Sequence, residues 1–284
     1  MNESFLSREA LAPFADFYTK LQQTHPLVDC ITNIVTVNDV ANGLLAIDAR
    51  PVMASAPDEI SNFVRHTDAL LLNLGATASE QREAMLVGAM TANLFHKPIV
   101  VDPVGIGSSP LRHQFLDSLL KKCQITAIRG NISEIKALAG LTTDAAGVDA
   151  SLADLTDPAA FQSAVELAQL LAKAHHTVIA ISGPRDIISD GHHTYVIHGG
   201  NSMMTRVTGN GCTLTGLVAA FIAVAPEDPA YATACAIALM CLAGDMALAK
   251  VGEHATASFR IAMFDALSAI TVEDCLTHFN IQQL

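Results

Sequence analysis

The sequence contains no tryptophan and few aromatic residues, and it carries much less positive than negative charge. Lys and Arg number 16 against 28 Asp and Glu, which gives a net charge of −12 at pH 7. A protein that binds nucleic acid or an anionic membrane needs clustered cations to displace counterions, and the sequence has no such cluster. We therefore expect neither nucleic acid nor a membrane among the partners.

Cysteine pairs at redox or metal-binding spacing are also lacking. The six cysteines show no CxxC spacing, and no signal-peptide pattern precedes them. No His joins a Cys or a carboxylate at the spacing of metal ligands, so the histidines are interpreted as surface residues. The sequence therefore predicts reduced thiols in a cytoplasmic protein.

A linker rich in Pro, Ser or Gly is absent as well, so residues 1–284 are predicted to form a single domain. Apolar residues make up 51% of the chain and charged residues 15%, which favours a large core and an apolar surface covered by another subunit. The apolar runs 217–225 and 232–244 are too short to span hydrocarbon and are interpreted as buried helices.

Apolar runs alternate with segments of helical periodicity along most of the chain. Nearly unbroken apolar runs predict strands that are buried on both faces. The predicted strands are 27–32, 51–54, 69–73, 98–101, 125–128 and 177–181, and the predicted helices between and after them are 37–47, 80–95, 111–122, 132–138 and a segment ending at 174. Repeated βαβ units predict an α/β protein with a doubly wound, mainly parallel sheet and helices on both faces.

Several other segments flank this alternation. Residues 4–22 predict an amphipathic helix outside the catalytic body, and residues 142–157 predict a loop. Residues 187–190 and 193–197 predict a β-hairpin at the edge of the sheet. Three helices are expected after residue 209.

The segment Val207-Thr208-Gly209-Asn210-Gly211-Cys212 leads directly into an apolar run. Its glycines allow a tight turn with positive φ, and the small residues let a helix begin inside the turn. A helix N-terminus presents unpaired N–H groups and a partial positive charge, which suits a phosphate or a developing oxyanion. Such turns also occur for steric reasons alone, so a packing role is the alternative.

Polar residues end neighbouring predicted strands, where ligands of doubly wound sheets collect. Asp102 follows one apolar strand, Arg129 ends the next, and Asn131 and Glu134 share one face of the following helical turn. Two carboxylates beside a cation and an anion-binding loop are what a Mg²⁺–nucleotide site needs. The alternative is structural, with Asn131 and Glu134 as a helix cap and Asp102 as a turn former.

In their order along the chain, these motifs resemble those of the hydroxyethylthiazole kinases of the ribokinase-like superfamily. The matching segments, between residues 30 and 276, are 32–45, 51–54, Asp102-Pro103-Val104-Gly105, Arg129-Gly130-Asn131-Ile132-Ser133-Glu134-Ile135, Ile181-Ser182-Gly183 and the glycine segment 207–212. The resemblance implies a ribokinase-like fold without a separate lid domain and ATP-dependent phosphorylation of hydroxyethylthiazole in thiamine salvage. It also implies a Mg²⁺ requirement and a homotrimer with sites at the subunit boundaries.

The resemblance also implies roles for individual residues. It places Arg129 and Ser182 on ATP, Met53 and Gly209 on the thiazole, and Asp102 and Glu134 near the metal. From the same strand ends and loop, we expect Asn131 and Gly211 to bind ATP and Asn33 to bind the substrate. The chain departs from the commoner Ala between the two glycines by having Asn210, a residue type that tolerates left-handed conformations.

Cys212 is the candidate catalytic residue. Most of the superfamily has an aspartate base at this position, and the thiazole kinases resemble this chain in having Cys. A helix N-terminus can lower the thiol pKa, so that a thiolate accepts the proton of the substrate hydroxyl. The alternative is a residue that only shapes the loop, because phosphoryl transfer depends mainly on positioning and charge neutralisation.

Two other functions are open from the sequence. One is another small-alcohol kinase of the same superfamily, acting for example on a pyrimidine or on pyridoxal. The other is a catalytically silent regulator that binds nucleotide, although the set of Asp102, Arg129, Glu134 and the glycine loop favours catalysis.

Overall fold

The computed structural model describes residues 4–141 and 157–284. Its strands are β1 (Ser4–Phe5), β2 (Leu27–Ile31), β3 (Arg50–Val52), β4 (Ala69–Asn73), β5 (Ile99–Asp102), β6 (Ala127–Asn131), β7 (Val178–Ser182), β8 (Asp186–Ser189), β9 (Thr194–Ile197) and β10 (Ile281–Gln283). They form one sheet in the order β1-β10-β9-β8-β7-β6-β5-β4-β2-β3. The strands from β3 to β7 in this order are parallel, and β8, β9, β10 and β1 continue the sheet in antiparallel pairs.

Helices cover both faces of the sheet. They are α1 (Ala12–Thr24), α2 (Val37–Ala46), α3 (Pro57–His66), α4 (Ser79–Leu94), α5 (Pro110–Lys122), α6 (Ile132–Leu138), α7 (Pro158–His175), α8 (Asn210–Val224), α9 (Pro229–Val251), α10 (Thr256–Ala269) and α11 (Val272–His278). The first core cluster contains residues of α1, α2 and α8 to α11, and the second contains residues of α3 to α7. The predicted α/β architecture with a mainly parallel sheet is confirmed.

The central strands are buried on both sides, as their unbroken apolar sequences predict. Every residue of β4 and β5 is buried. In β4, Leu71 packs into the first core cluster, while Leu70 and Leu72 pack into the second. Each strand therefore contributes to two cores, because successive side chains point to opposite faces of the sheet.

The strand register brings polar residues together at the carboxyl ends of the parallel strands. Asn73, which ends β4, pairs with Asp102 at the end of β5. Asn131, which ends β6, pairs with Ser182 at the end of β7. These residues lie at the carboxyl ends of four parallel strands, which is where a doubly wound sheet binds its ligand.

The N-terminal region differs from the prediction. The predicted helix 4–22 is a short strand followed by α1, and α1 is not outside the body, since Phe14, Tyr18 and Leu21 are buried. Phe14 and Tyr18 both stack on Phe221 of α8, with ring centroids 6.0 and 6.2 Å apart. The spacing of the apolar residues indicated a helix but not the surface that covers it.

The predicted hairpin is confirmed in β8 and β9, but it does not form the edge of the sheet. Ile281 of β10 pairs with Ile197 of β9, and β1 then pairs with β10. The chain termini therefore cover the hairpin. Strands of two or three residues are too short to show an alternating pattern in the sequence.

Three further segments differ from the prediction. Helix α3 was not predicted, and four helices rather than three follow residue 209. Strand β6 continues to Asn131 because its polar end pairs with β7, although its apolar run ends at Ile128. The predicted loop 142–157 lies outside the described residues up to position 156.

Helix α9 is longer than its apolar run suggested. With 23 residues and a mean hydropathy of 1.8, it is long and apolar enough to cross a membrane, so the length argument made from residues 232–244 is wrong for this helix. The most apolar window of α9 is 72% buried inside the protein. The interpretation of this segment as a buried core helix is confirmed.

Candidate active site

One cavity opens where the ends of β5 and β6 meet the start of α8. Its volume is about 650 Å³. Most residues that the sequence predicted for the site line it: Asn33, Asp102, Arg129, Asn131, Glu134, Gly209, Gly211 and Cys212. Ser182 and Met53 are not in this lining. Ser182 accepts a hydrogen bond from Arg129, which does line the cavity, and Met53 packs against the first core cluster.

The glycine loop turns sharply before α8 begins. Gly209 has a φ of +91°, which is the left-handed conformation that favours glycine. A Cβ at this position would also lie 3.0 Å from Cγ2 of Thr36. The predicted turn is confirmed, and Asn210 is the first helical residue. Nδ2 of its side chain donates to the carbonyl of Met204 at 2.7 Å.

The start of α8 offers unpaired donors to the cavity. The N–H of Thr213 donates to the carbonyl of Gly209 at 2.8 Å. In the part of the chain that the structure describes, no acceptor receives the backbone N–H of Asn210, Gly211 or Cys212. These are the donors that an α-helix leaves unsatisfied at its N-terminus, and they suit an anionic ligand.

Arg129 lies directly against this helix start. A Cβ at Gly211 would lie 2.7 Å from Nη1 of Arg129, so the close approach of the guanidinium requires glycine there. Nη2 of Arg129 donates to Oγ of Ser182, which donates to the carbonyl of Gly130 at 3.3 Å. A cation is thus fixed beside the unpaired N–H groups.

Asn131 and Glu134 form the helix cap that was one of the two interpretations of their spacing. Oδ1 of Asn131 accepts the N–H of Glu134, and Oε2 of Glu134 accepts the N–H of Asn131, both at 2.9 Å. Oε1 of Glu134 accepts the N–H of Gly105 at 3.0 Å. Because a carboxylate has about four lone-pair sites, these bonds leave Glu134 able to face a ligand as well.

A buried amide joins the candidate acid and thiol groups. Nδ2 of Asn73 donates to Oδ2 of Asp102 at 2.8 Å and lies 3.2 Å from Sγ of Cys212. Oδ1 of Asn73 accepts from Nδ2 of Asn33 at 3.2 Å and from the N–H of Gly75 at 2.9 Å. Asn73 therefore fixes the spacing between the Asp102 carboxyl group and the sulfur.

The cavity changes the acidity of its titratable groups. Burial raises the pKa of Asp102, and the charge of Arg129 offsets part of this change. Burial, followed by the charge of Asp102, raises the pKa of Glu134. The same two causes raise the pKa of the Cys212 thiol. A helix N-terminus can lower a thiol pKa, but here burial and the neighbouring carboxylate raise it, which favours the protonated thiol.

Sequence reasoning did not assign a role to two residues of this site, Asn73 and Arg112. Asn73 was visible as a polar residue at the end of an apolar strand, but three of its four hydrogen-bond partners, Asn33, Asp102 and Cys212, are far away in the sequence. Arg112 lines the cavity from the first turn of α5. It belongs to no motif at a strand end, so no sequence signal singled it out.

The comparisons with known proteins agree with the geometry of this site. The model of the hydroxyethylthiazole kinase family matches residues 18–273. The chain belongs to the hydroxyethylthiazole kinase family. Among curated members, hydroxyethylthiazole kinase 1 of Methanosphaera stadtmanae is 37% identical over 98% of this chain and 100% of its own length. Members of the hydroxyethylthiazole kinase family are phosphotransferases, and this chain is one of them.

Solved structures support the same family and its fold. The hydroxyethylthiazole kinase protein from Pyrococcus horikoshii OT3 superimposes with a TM-score of 0.85 at 30% identity, covering 96% of this chain and 99% of its own. A ribokinase-like superfamily protein from Enterococcus faecalis V583 has a TM-score of 0.56 at 18% identity, with 85% and 87% covered. At that identity the second likeness shows the fold alone, which is ribokinase-like as the motifs implied.

Proposed function

We propose that this chain transfers the terminal phosphoryl group of ATP to the hydroxyl group of 4-methyl-5-(2-hydroxyethyl)thiazole, in the salvage of thiamine. The proposal rests on one observation. Arg129, the carboxylates of Asp102 and Glu134, and the N-terminus of α8 with its unpaired N–H groups line the same cavity. Phosphoryl transfer requires charge neutralisation around the phosphate oxygens and correct positioning of the acceptor. The cavity supplies groups for both tasks.

Each group has a distinct task in the proposed reaction. Arg129, Asn131, Ser182 and the N–H of Gly211 bind ATP, with the unpaired donors at the start of α8 facing the phosphate oxygens. Cys212 lies at the same helix start and takes the proton from the substrate hydroxyl group or orients that group. Because the transition state is loose, positioning contributes more than base strength.

The thiazole-binding residues of the proposal are Gly209, Asn33 and Met53. Gly209 and Asn33 line the cavity next to Cys212, which favours a hydroxyl group bound beside the thiol. Asn33 is held by its own bonds, because its Oδ1 accepts the N–H groups of Val35 and Thr36 at 3.1 and 3.2 Å. The place of Met53 rests on the family resemblance.

A magnesium ion fits the carboxylates of the cavity. No set of three or more His, Cys, Asp or Glu within residues 4–141 and 157–284 could hold a metal ion by itself. Asp102 and Glu134 both line the cavity, and the pKa of Glu134 is raised by burial and then by the charge of Asp102, so a cation between these carboxylates and ATP is favoured. Mg²⁺ commonly binds through one or two carboxylates together with substrate phosphates. We propose that Asp102 and Glu134 hold it, and that it neutralises phosphate charge when bound.

We further propose a homotrimer with the sites at subunit boundaries, and a single kinase domain over residues 1–284 in the cytoplasm. Ile34 and Val35 are 88% and 71% exposed although both are apolar, and both line the rim of the cavity. An exposed apolar rim at the site supports coverage by another subunit. The number three rests on the family resemblance.

The proposal is tested by measuring ADP release with ATP and a panel of alcohols. The panel contains hydroxyethylthiazole, a hydroxymethylpyrimidine and pyridoxal, each with Mg²⁺ and with a chelator. We expect Mg²⁺-dependent release with the thiazole, and we expect the isosteric variant Asp102→Asn to lose it. A higher kcat/KM for another alcohol would overturn the thiazole assignment, and ATP binding without ADP release would indicate the silent regulator.

A further inference from the structure

Arg112 lines the same cavity as the proposed phosphate-binding residues, and the proposed reaction gives it no role. It belongs to the first turn of α5. Its backbone N–H donates to Oγ of Ser109 at 3.4 Å, and Nη1 donates to the carbonyl of Val104 at 2.9 Å. A guanidinium has five N–H donors, so this anchoring leaves most of them for another partner.

The loop after β5 is shaped around this guanidinium. Gly105 has a φ of +69°, and a Cβ there would lie 2.5 Å from Nη1 of Arg112. Only glycine therefore allows the guanidinium to rest on the backbone at this point. The N–H of the same glycine donates to Oε1 of Glu134, so the loop is held between a cation and a carboxylate that both line the cavity.

Arg112 differs from the arginines that form ion pairs at the surface. Arg8 pairs with Glu273, and Arg260 pairs with Asp39. Among the residues in the described ranges, no carboxylate oxygen lies within 4.0 Å of the Arg112 guanidinium. A half-buried cation that faces a cavity without an acidic partner favours an anionic ligand.

The charge balance of the cavity indicates which anion this is. In the described part of the wall, Arg112 and Arg129 are the cationic residues. The whole chain carries a net charge of −12, so a polyphosphate must be held by local cations. We propose that Arg112 binds the polyphosphate chain of ATP, as a second guanidinium beside that of Arg129. This inference rests on the proposed binding of ATP in the cavity.

If Arg112 binds the polyphosphate chain, the loss of affinity on its replacement should depend on the number of phosphates in the nucleotide. Charge-assisted hydrogen bonds from a guanidinium to phosphate are among the stronger polar contacts in proteins. Their loss weakens a ligand that reaches Arg112 and leaves unchanged a ligand that does not. ATP and ADP extend their phosphate chain along the cavity, whereas AMP carries a single phosphate next to the ribose.

The test measures equilibrium binding of ATP, ADP and AMP to the full-length protein by calorimetry, for the wild type and for Arg112→Gln. We expect the Kd for ATP to rise by at least about tenfold, as for the loss of one charge-assisted contact, and the Kd for AMP to change by less than about twofold. In kinetics, KM for ATP should rise while KM for the alcohol stays constant. Arg112→Lys should restore part of the affinity, because the charge is retained without the planar fork.

Arg82→Gln is the matched control. Arg82 is also half-buried and also donates to a loop carbonyl next to the cavity, that of Thr77, but it does not line the cavity. Its loss removes the same charge and the same type of anchor, and ATP affinity should stay unchanged. Equal weakening by both variants, or equal weakening of ATP and AMP by Arg112→Gln, would overturn the inference. A wild-type protein without affinity for ATP would instead refute the proposed function.

Discussion

At the residue scale, the surroundings of Cys212 act on its thiol in opposite directions. Burial and Asp102 raise the thiol pKa, whereas the Asn73 amide and the charge of Arg129 lower it, and the net effect is an increase. The thiol is therefore mostly protonated at neutral pH, which weakens its case as a strong base. Its place at the helix start is compatible with both a base and a residue that shapes the loop.

Substitutions at Cys212 separate these two roles. If the residue takes the substrate proton, Cys212→Ala should lower kcat on the order of 10²-fold or more, while Cys212→Asp should remain active because a carboxyl group is a much stronger acid than a thiol and is ionised to a larger fraction in the same surroundings. Steady-state kinetics with saturating ATP measure both. Cys123→Ala, in a cysteine far from the cavity, should have no effect on kcat. A kcat near wild type for Cys212→Ala would show that the residue is a spacer.

A second prediction at this scale concerns Asp29, a fully buried carboxyl group in β2. Its Oδ1 accepts the N–H of Ala54 at 3.2 Å, and Oδ2 has no partner among the described residues. Burial raises the pKa of Asp29 to about 7, with a smaller contribution from Glu59 and opposing ones from backbone N–H groups. The folded state thus binds a proton that the unfolded chain releases at lower pH.

Stability should therefore fall as the pH rises. The contribution of protonated Asp29 is present below the unfolded pKa and is lost as the pH passes through the folded value of about 7. Relative to Asp29→Asn, the wild type should lose on the order of 2 kcal/mol of unfolding free energy between pH 5 and pH 8. Urea unfolding at several pH values measures this difference. Parallel pH profiles for the two proteins would contradict the prediction.

At the scale of elements, the active-site helix is positioned by a close crossing of α2 and α8. A Cβ at Gly43 of α2 would lie 2.3 Å from Cγ2 of Thr213, which follows Cys212 in the chain. Thr213 is β-branched and buried, so it cannot move aside by changing rotamer easily. The glycine in α2 therefore fixes how near the two helices come and where α8 begins.

Replacing this glycine should destabilise the protein although Ala favours helices. Gly43→Ala should lower the unfolding free energy by roughly 1–3 kcal/mol, the usual effect of overpacking. Gly244→Ala in α9 is the matched control, because the added methyl group meets the end of the flexible Met204 side chain, with Sδ at 2.5 Å. Thermal unfolding should show the larger loss for Gly43→Ala, and equal shifts would contradict this account.

At the scale of the whole molecule, the exposed apolar residues at the cavity rim bear on assembly. Light scattering should give a mass of about three times the chain mass of 29.9 kDa at micromolar protein. Ile34→Asp should lower the mass, since it places a charge in an apolar contact. Leu170→Asp, at a residue that is 65% exposed in α7, should leave the mass unchanged. A monomer mass for the wild type would contradict the homotrimer.

The sequence by itself determined the layered α/β order and the polar residues that end the strands. Strand β4 was predicted at its observed bounds, and the cap of Asn131 and Glu134 was read from a three-residue spacing. Periodicity and short spacings report whether a segment is buried and how its neighbours along the chain face each other. They carry no information about which distant segment covers it.

Only the tertiary structure decided the contacts between distant parts of the chain. The termini cover the hairpin, burial beside Asp102 raises the thiol pKa of Cys212, and Asn73 bridges that thiol to the acid. Arg112 rests on a glycine from the preceding loop. These features follow from the packing of strands and helices far apart in sequence, because pKa values and hydrogen-bond partners depend on the local solvent and charge that packing creates.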